Sequence, residues 1–161
     1  MLDNEELAQL VLKLQENGAD NINLVTPTHF LPQIVSALII AMKNGFNIPI
    51  VYNTSGFEKS ETIEIIEPLV DIYLTDIKYI DKASAQKYSS APEYPEYSLN
   101  AASAMHRQRP RITLRNNKIK RGLIIRHLVL PGQIENSKKI LRWIKDNTPG
   151  ANTSISPATK S

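Results

Sequence analysis

The chain has 161 residues, a formal net charge of +3 from 19 basic and 16 acidic side chains, and no cysteine. That length is one domain's worth, enough to bury roughly 70% of the unfolded surface, and the small net charge gives no argument for a nucleic-acid partner. Apolar residues make up 42% and charged residues 22%, and no apolar run approaches the roughly 18 residues of a helical membrane span. Disulfides and thiolate metal ligands from this chain are excluded.

The first residues, Met1 to Glu6, are acidic and lack the basic and apolar regions of a secretory signal, so a cytoplasmic location is expected. Asp3 and Glu6 have capping-box spacing ahead of Leu7, Leu10, Val11 and Leu14, and Gly18 follows as a stop, which predicts an amphipathic helix. Asn21 to Thr26 reads as a strand. Leu31, Ile34, Val35, Leu38, Ile39 and Met42 form a second helical face ending at Gly45.

Pro49 to Asn53 reads as a second strand, Ser60 to Leu69 as a third helix, and Asp71 to Ile77 as a third strand, with a helix near Asp81 to Tyr88. Pro92 and Pro95 break the next stretch. Ala101 to Gln108 has helical character, and Arg109 to Lys120 has no clear periodicity. Gly122 to Leu130 is an apolar strand, Pro131-Gly132 a turn, and Ile140, Leu141 and Ile144 mark a last helix behind Asn136 or Ser137. The tail from Thr148 to Ser161 is rich in Thr, Ser, Pro and Ala, so a domain over residues 1–147 and a disordered tail over 148–161 are expected.

Apolar strands alternating with helices predict βαβ units and a parallel sheet, that is, α/β architecture. A complete eight-stranded barrel needs about 250 residues, so the expectation is a small open sheet or part of a barrel. Neither GxGxxG nor GxxxxGK[ST] occurs, which argues against a dinucleotide or nucleoside-triphosphate enzyme.

In parallel α/β folds ligands are held at the C-terminal ends of the strands. That rule selects Thr26-Pro27-Thr28-His29, Asn53-Thr54-Ser55-Gly56, Asp76 with Lys78, and Arg126-His127. Asp76 and Lys78 share one strand face and either form a structural ion pair or grip a charged ligand. Arg126 interrupts an apolar strand, and its guanidinium suits a carboxylate or ribose hydroxyl, or else caps the sheet. His29 and His127 have acid–base capacity but fit structural roles equally, as does His106. Their spacing with Asp76 specifies no metal site.

From Tyr97 to Ile134 there is no acidic residue, while Arg107, Arg109, Arg111, Arg115, Lys118, Lys120, Arg121 and Arg126 fall there. The stretch lacks the interleaved aromatics of a base-stacking surface, so it reads as a solvated or partner-facing segment and nucleic acid is not the expected partner.

The segments GADNINLVTPTHFLPQIVSAL, PIVYNTSGFE, VDIYLTDIKY, KYSSAPEYPEY and RGLIIRHLVLPG, in that order and spacing, resemble the radical S-adenosylmethionine (SAM) superfamily, in the group related to pyruvate formate-lyase activating enzymes. The resemblance covers most of residues 5–145. It implies a partial (β/α) barrel of the TIM type, incomplete at both ends. It also implies SAM as cofactor, with Thr26, Thr28 and His29 standing where the family's Gly-Gly-Glu motif meets the SAM amino group. Asn53 and Thr54 would lie by the methionine carboxylate, Asp76 and Lys78 would match an Asp-x-Lys, and Arg126 with its neighbour His127 would contact SAM from the fifth barrel strand.

Enzymes of this kind are oxidoreductases that bind a four-iron four-sulfur (4Fe-4S) cluster through CxxxCxxC, cleave SAM reductively to a 5′-deoxyadenosyl radical and act on a glycyl-radical protein. This chain starts where that cysteine loop would already have ended, so a truncated domain is expected, inactive alone in radical generation. The partners implied are a glycyl-radical or other protein substrate, or a complementing chain that carries the missing strands. The alternative is a non-catalytic α/β module that binds a small ligand or a protein.

Overall fold

In a computed structural model, residues 3–157 are described. Among them six α-helices and six strands follow in the order α1 (Asn4–Glu16), β1 (Ile22–Val25), α2 (Leu31–Lys43), β2 (Ile50–Thr54), α3 (Ser60–Ile66), β3 (Ile72–Asp76), α4 (Lys82–Ser89), α5 (Tyr94–Gln108), β4 (Thr113–Arg115), β5 (Lys118–Val129), α6 (Ile134–Asn147) and β6 (Asn152–Pro157). One sheet runs β1-β2-β3-β5-β4, and β6 also pairs with β5. Every pairing is parallel except that of β4 with β5. The α/β architecture with a mostly parallel sheet is therefore present.

The strands alternate, and the two sets of side chains meet different surroundings. Ile22 and Ile50 pack with Ala8 and Val11 of α1 and with Ala37, Leu38 and Ala41 of α2. Tyr52, Tyr73, Leu123 and Ile125 pack with Ile63 and Ile66 of α3, Ala101 and Met105 of α5 and Ile140 and Ile144 of α6. By the strand register these residues all lie on one sheet face. Those helices cover that face, and the other carries Asn53, Leu74, Asp76, Ile124 and Arg126.

The first helix begins as its spacing predicts: the Asp3 carboxylate accepts from the Glu6 amide at 2.8 Å and Glu6 accepts from the Asp3 amide at 2.9 Å. The second helix is rotated from expectation, because Ile39 and Met42 are exposed while Ala37 and Ala41 are buried. It is apolar nearly all round, so periodicity does not fix its face; the small side chains let it approach α1 closely. The fifth helix starts at Tyr94 with Pro95 in its first turn, where a missing amide hydrogen costs nothing. Pro95 therefore opens a helix there and does not break one.

Two further segments depart from the sequence reading. Arg109 to Lys120 contains a β-hairpin whose turn, Asn116-Asn117, has both residues at positive φ (53° and 58°), the geometry of the tight turn that matches strand twist. The tail expected to be disordered forms β6 through Pro157, pairing with Ile124 to Val129. Residues 158–161 of that expectation lie outside the described residues. Thr and Ser read equally as linker and as strand residues, and only the free edge of β5 decides between them.

Candidate functional site

The register of the sheet assembles the site. Asp76 and Arg126 are direct partners on β3 and β5, and Asn53 on β2 is paired with Leu74, two residues before Asp76. Arg126 Nε donates to Asp76 Oδ1 at 2.7 Å and Arg126 Nη2 to Asn53 Oδ1 at 3.0 Å. Lys78 Nζ lies 4.0 Å from Asp76 Oδ2. Three strands thus present a carboxylate, an amide and a guanidinium on the uncovered face, and Lys78, two residues past the end of β3, adds a second cation.

Asp76, Lys78 and Arg126 border a cavity of about 390 Å³ that His127, Leu128, Ser154 and Ser156 complete. Arg126 stays about 41% exposed and Asp76 about 22%, so both heads remain within reach of a ligand. The guanidinium uses its Nε and one Nη donor inside the cluster, which leaves further donors for a carboxylate or a hydroxyl.

The remaining predicted residues divide. Thr54 is buried on the helix-covered face and donates to Glu58 Oε1 at 2.7 Å. Thr28 donates to the same oxygen at 2.6 Å, and the Tyr52 hydroxyl does so at 3.3 Å. Glu58, itself buried, is the hub that ties the loop after β1 to the end of β2. Thr26 holds a left-handed backbone (φ 49°), an uncommon state for a β-branched residue, and its amide bonds the Asn53 carbonyl at 2.8 Å. Its side chain and that of His29 are exposed. His127 sits on β5 beside the cavity, but its ring is buried and both nitrogens are engaged, Nδ1 with the Ile77 carbonyl at 2.7 Å and Nε2 with Ser137 Oγ at 2.8 Å. Asn53, Asp76, Lys78 and Arg126 are therefore brought together, whereas Thr28, Thr54 and His127 support the framework.

Sequence reasoning missed four contributors. Glu58 carried a signal, since it is an acid just past the strand in GFE. Ser154 and Ser156 alternate in a segment read as tail. Tyr94 lies beyond a Pro-rich break, yet its hydroxyl is within 2.8 Å of the Ser55 carbonyl and 3.1 Å of the Asp76 carbonyl, and it accepts from the Lys78 amide at 3.3 Å. It pins the ends of β2 and β3 side by side. Burial pushes the Tyr94 phenol well above its usual range, with the Asp76 charge adding to the shift, so it stays neutral. Gly56 makes this junction possible: its φ is 87°, and a Cβ there would overlap the Asp76 carbonyl.

No helix among the described residues is long and apolar enough to cross a membrane. No protein-family model matches the sequence. The chain is similar to a protein of Methanocaldococcus jannaschii described as "Uncharacterized protein MJ0674", with 27% identity over an alignment that takes in 91% of this chain and 39% of the archaeal protein. The chain thus spans well under half the length of that relative.

Proposed function

We propose that this chain is a SAM-binding part of a (β/α) barrel of the radical SAM type, similar to activating enzymes for glycyl-radical proteins. The observation that carries the reading is the Asn53–Asp76–Arg126 cluster at the strand ends of a sheet with its helical core on the other face. A one-sided helical layer is what part of a barrel requires, because the uncovered face becomes the barrel interior.

The residues fit SAM. It carries a carboxylate, an ammonium, a sulfonium and a ribose diol, and the cavity offers a partner for each polar group. Arg126 and Lys78 complement the carboxylate, the free lone pairs of Asp76 suit the ammonium or a ribose hydroxyl, and Ser154 and Ser156 add hydroxyl partners. When bound, SAM supplies an electrophilic sulfonium. The chain's own residues bind and orient it: Asp76 is held by Arg126, and Tyr94 and Gly56 fix the two strand ends that carry Asn53 and Asp76.

The residues present do not fit an iron–sulfur cluster. The chain has no cysteine, and the described residues include no group of three or more His, Asp or Glu able to hold a metal. Any thiolates for such a cluster come from outside these 161 residues, and the role derived for this chain is binding and orientation.

Titration calorimetry of the full chain with SAM tests the reading. Saturable binding that falls at least tenfold in Arg126→Ala is expected. No heat at millimolar SAM, or equal affinity in the variant, would overturn it.

A further inference from the structure

Part of the basic stretch, from Arg111 to Arg121, forms a hairpin at the opposite end of the sheet. Below Gly122, where β5 joins β3, residues Lys118 to Arg121 leave the parallel sheet and pair only with β4, as a two-stranded ribbon. Arg115 stands directly opposite Lys118 across this ribbon. Like charges in directly opposed positions destabilise a strand pair, so the fold tolerates a cost here. Lys118 Nζ is relieved by Asp20, 2.6 Å away at the foot of β1. Among the described residues, Arg111, Arg115, Lys120 and Arg121 form no ion pair. All but Lys120, which is half-buried, are exposed.

Arg115, Asn116, Lys118, Lys120 and Asp20 surround a cavity of about 270 Å³ whose lining contains no apolar or aromatic side chain. The donors there are guanidinium, ammonium and amide groups, which suit phosphate oxygens. With no Phe, Tyr or Trp from Arg109 to Leu130, the ribbon has no stacking platform for bases, which disfavours single strands. A two-stranded ribbon fits the roughly 12 Å major groove of B-form DNA, whereas the major groove of A-form RNA is too narrow for side chains to read. The ribbon is also held in one shape, by the Asn116-Asn117 turn and by Asp20, so little order has to be gained on binding.

We infer that the β4–β5 ribbon is a docking surface for the phosphate backbone of duplex DNA, recognised by charge and shape without base specificity. The sequence alone argued against nucleic acid from the small net charge and the lack of stacking residues. Backbone recognition needs neither, only a local excess of cations, and here Arg115, Lys118 and Lys120 outnumber the single acid Asp20.

The test is fluorescence anisotropy of the full chain with a labelled mixed-sequence DNA duplex. The two unpaired cations that line the cavity, Arg115 and Lys120, predict that log K falls with log salt at a slope of about −1.8, roughly a tenfold loss between 50 and 200 mM salt. Arg115→Ala and Lys120→Ala should each flatten the slope by about one while leaving the thermal midpoint unchanged, and Arg115→Lys should retain it. Absence of binding at 50 mM salt, a slope unchanged by both alanine variants, or equal binding of the matching single strand would overturn the inference. So would displacement of the duplex by poly-glutamate at equal charge concentration, which would assign the ribbon to an acidic protein partner.

Discussion

Arg126 reaches Asp76 along a direct register pairing between β5 and β3, with 2.7 Å between Nε and Oδ1. Both side chains remain partly exposed, and ion pairs of that kind contribute about 0–1 kcal/mol to folding. The pair's value to the fold is thus small beside its value as a pre-set charge arrangement in the cavity. Asp76→Asn should therefore lower unfolding stability by no more than about 1 kcal/mol in urea denaturation. SAM affinity should drop at least tenfold in the same variant, and a stability loss without an affinity loss would assign the pair to structure.

Glu58 collects three hydroxyl donors on one oxygen with little exposure to water. Glu58→Ala strands those hydroxyls and should cost about 2 kcal/mol in chemical denaturation, whereas Glu58→Gln, which keeps an acceptor oxygen, should cost roughly half as much. Equal losses in the two variants would show that packing and not hydrogen bonding holds the loop after β1.

Gly56→Ala faces two penalties together, a positive φ and a Cβ that overlaps the Asp76 carbonyl. The expected destabilisation exceeds about 2 kcal/mol, read as a lowered thermal midpoint. Gly132→Ala, with a positive φ but open space around the added methyl, should cost no more than about 1–2 kcal/mol. A smaller loss at Gly56 than at Gly132 would contradict the close β2–β3 junction.

The phenols of Tyr52, Tyr73 and Tyr94 are all pushed above their ordinary range, chiefly by burial. Their neutral forms contribute stability that is fully present below the unfolded pKa of about 10 and is lost as pH rises beyond it, because the unfolded chain releases those protons first. Spectrophotometric titration should show these three ionising only with alkaline unfolding. Ionisation of Tyr52, Tyr73 and Tyr94 near the ordinary value while the chain is still folded would contradict the burial.

The main elements were legible because their signals are local. The capping residues Asp3 and Glu6, the apolar runs of β2, β3 and β5, and Asp76, Lys78 and Arg126 at the strand ends are all visible along the chain. What was not legible depends on pairing at a distance. The hydroxyls of Ser154 and Ser156 reach the cavity only because β6 takes the free edge of β5. His127 looked like a ligand group, but strand alternation turns its ring to Ser137 while Arg126 faces the cavity. Tyr94 acquires its role from two carbonyls 18 and 39 residues away. The rotation of α2 was set by Ala37 and Ala41 against α1, which an all-round apolar helix does not advertise.

Whether the uncovered sheet face at the strand ends holds SAM is read most plainly by amide chemical-shift mapping of the full chain during a SAM titration. Saturable shifts are expected at Asn53 to Gly56, Asp76 to Lys78, Arg126 and Ser154 to Ser156, with the helix-covered face and the β4–β5 ribbon unchanged. Shifts confined to any other surface, or none at millimolar SAM, would contradict it.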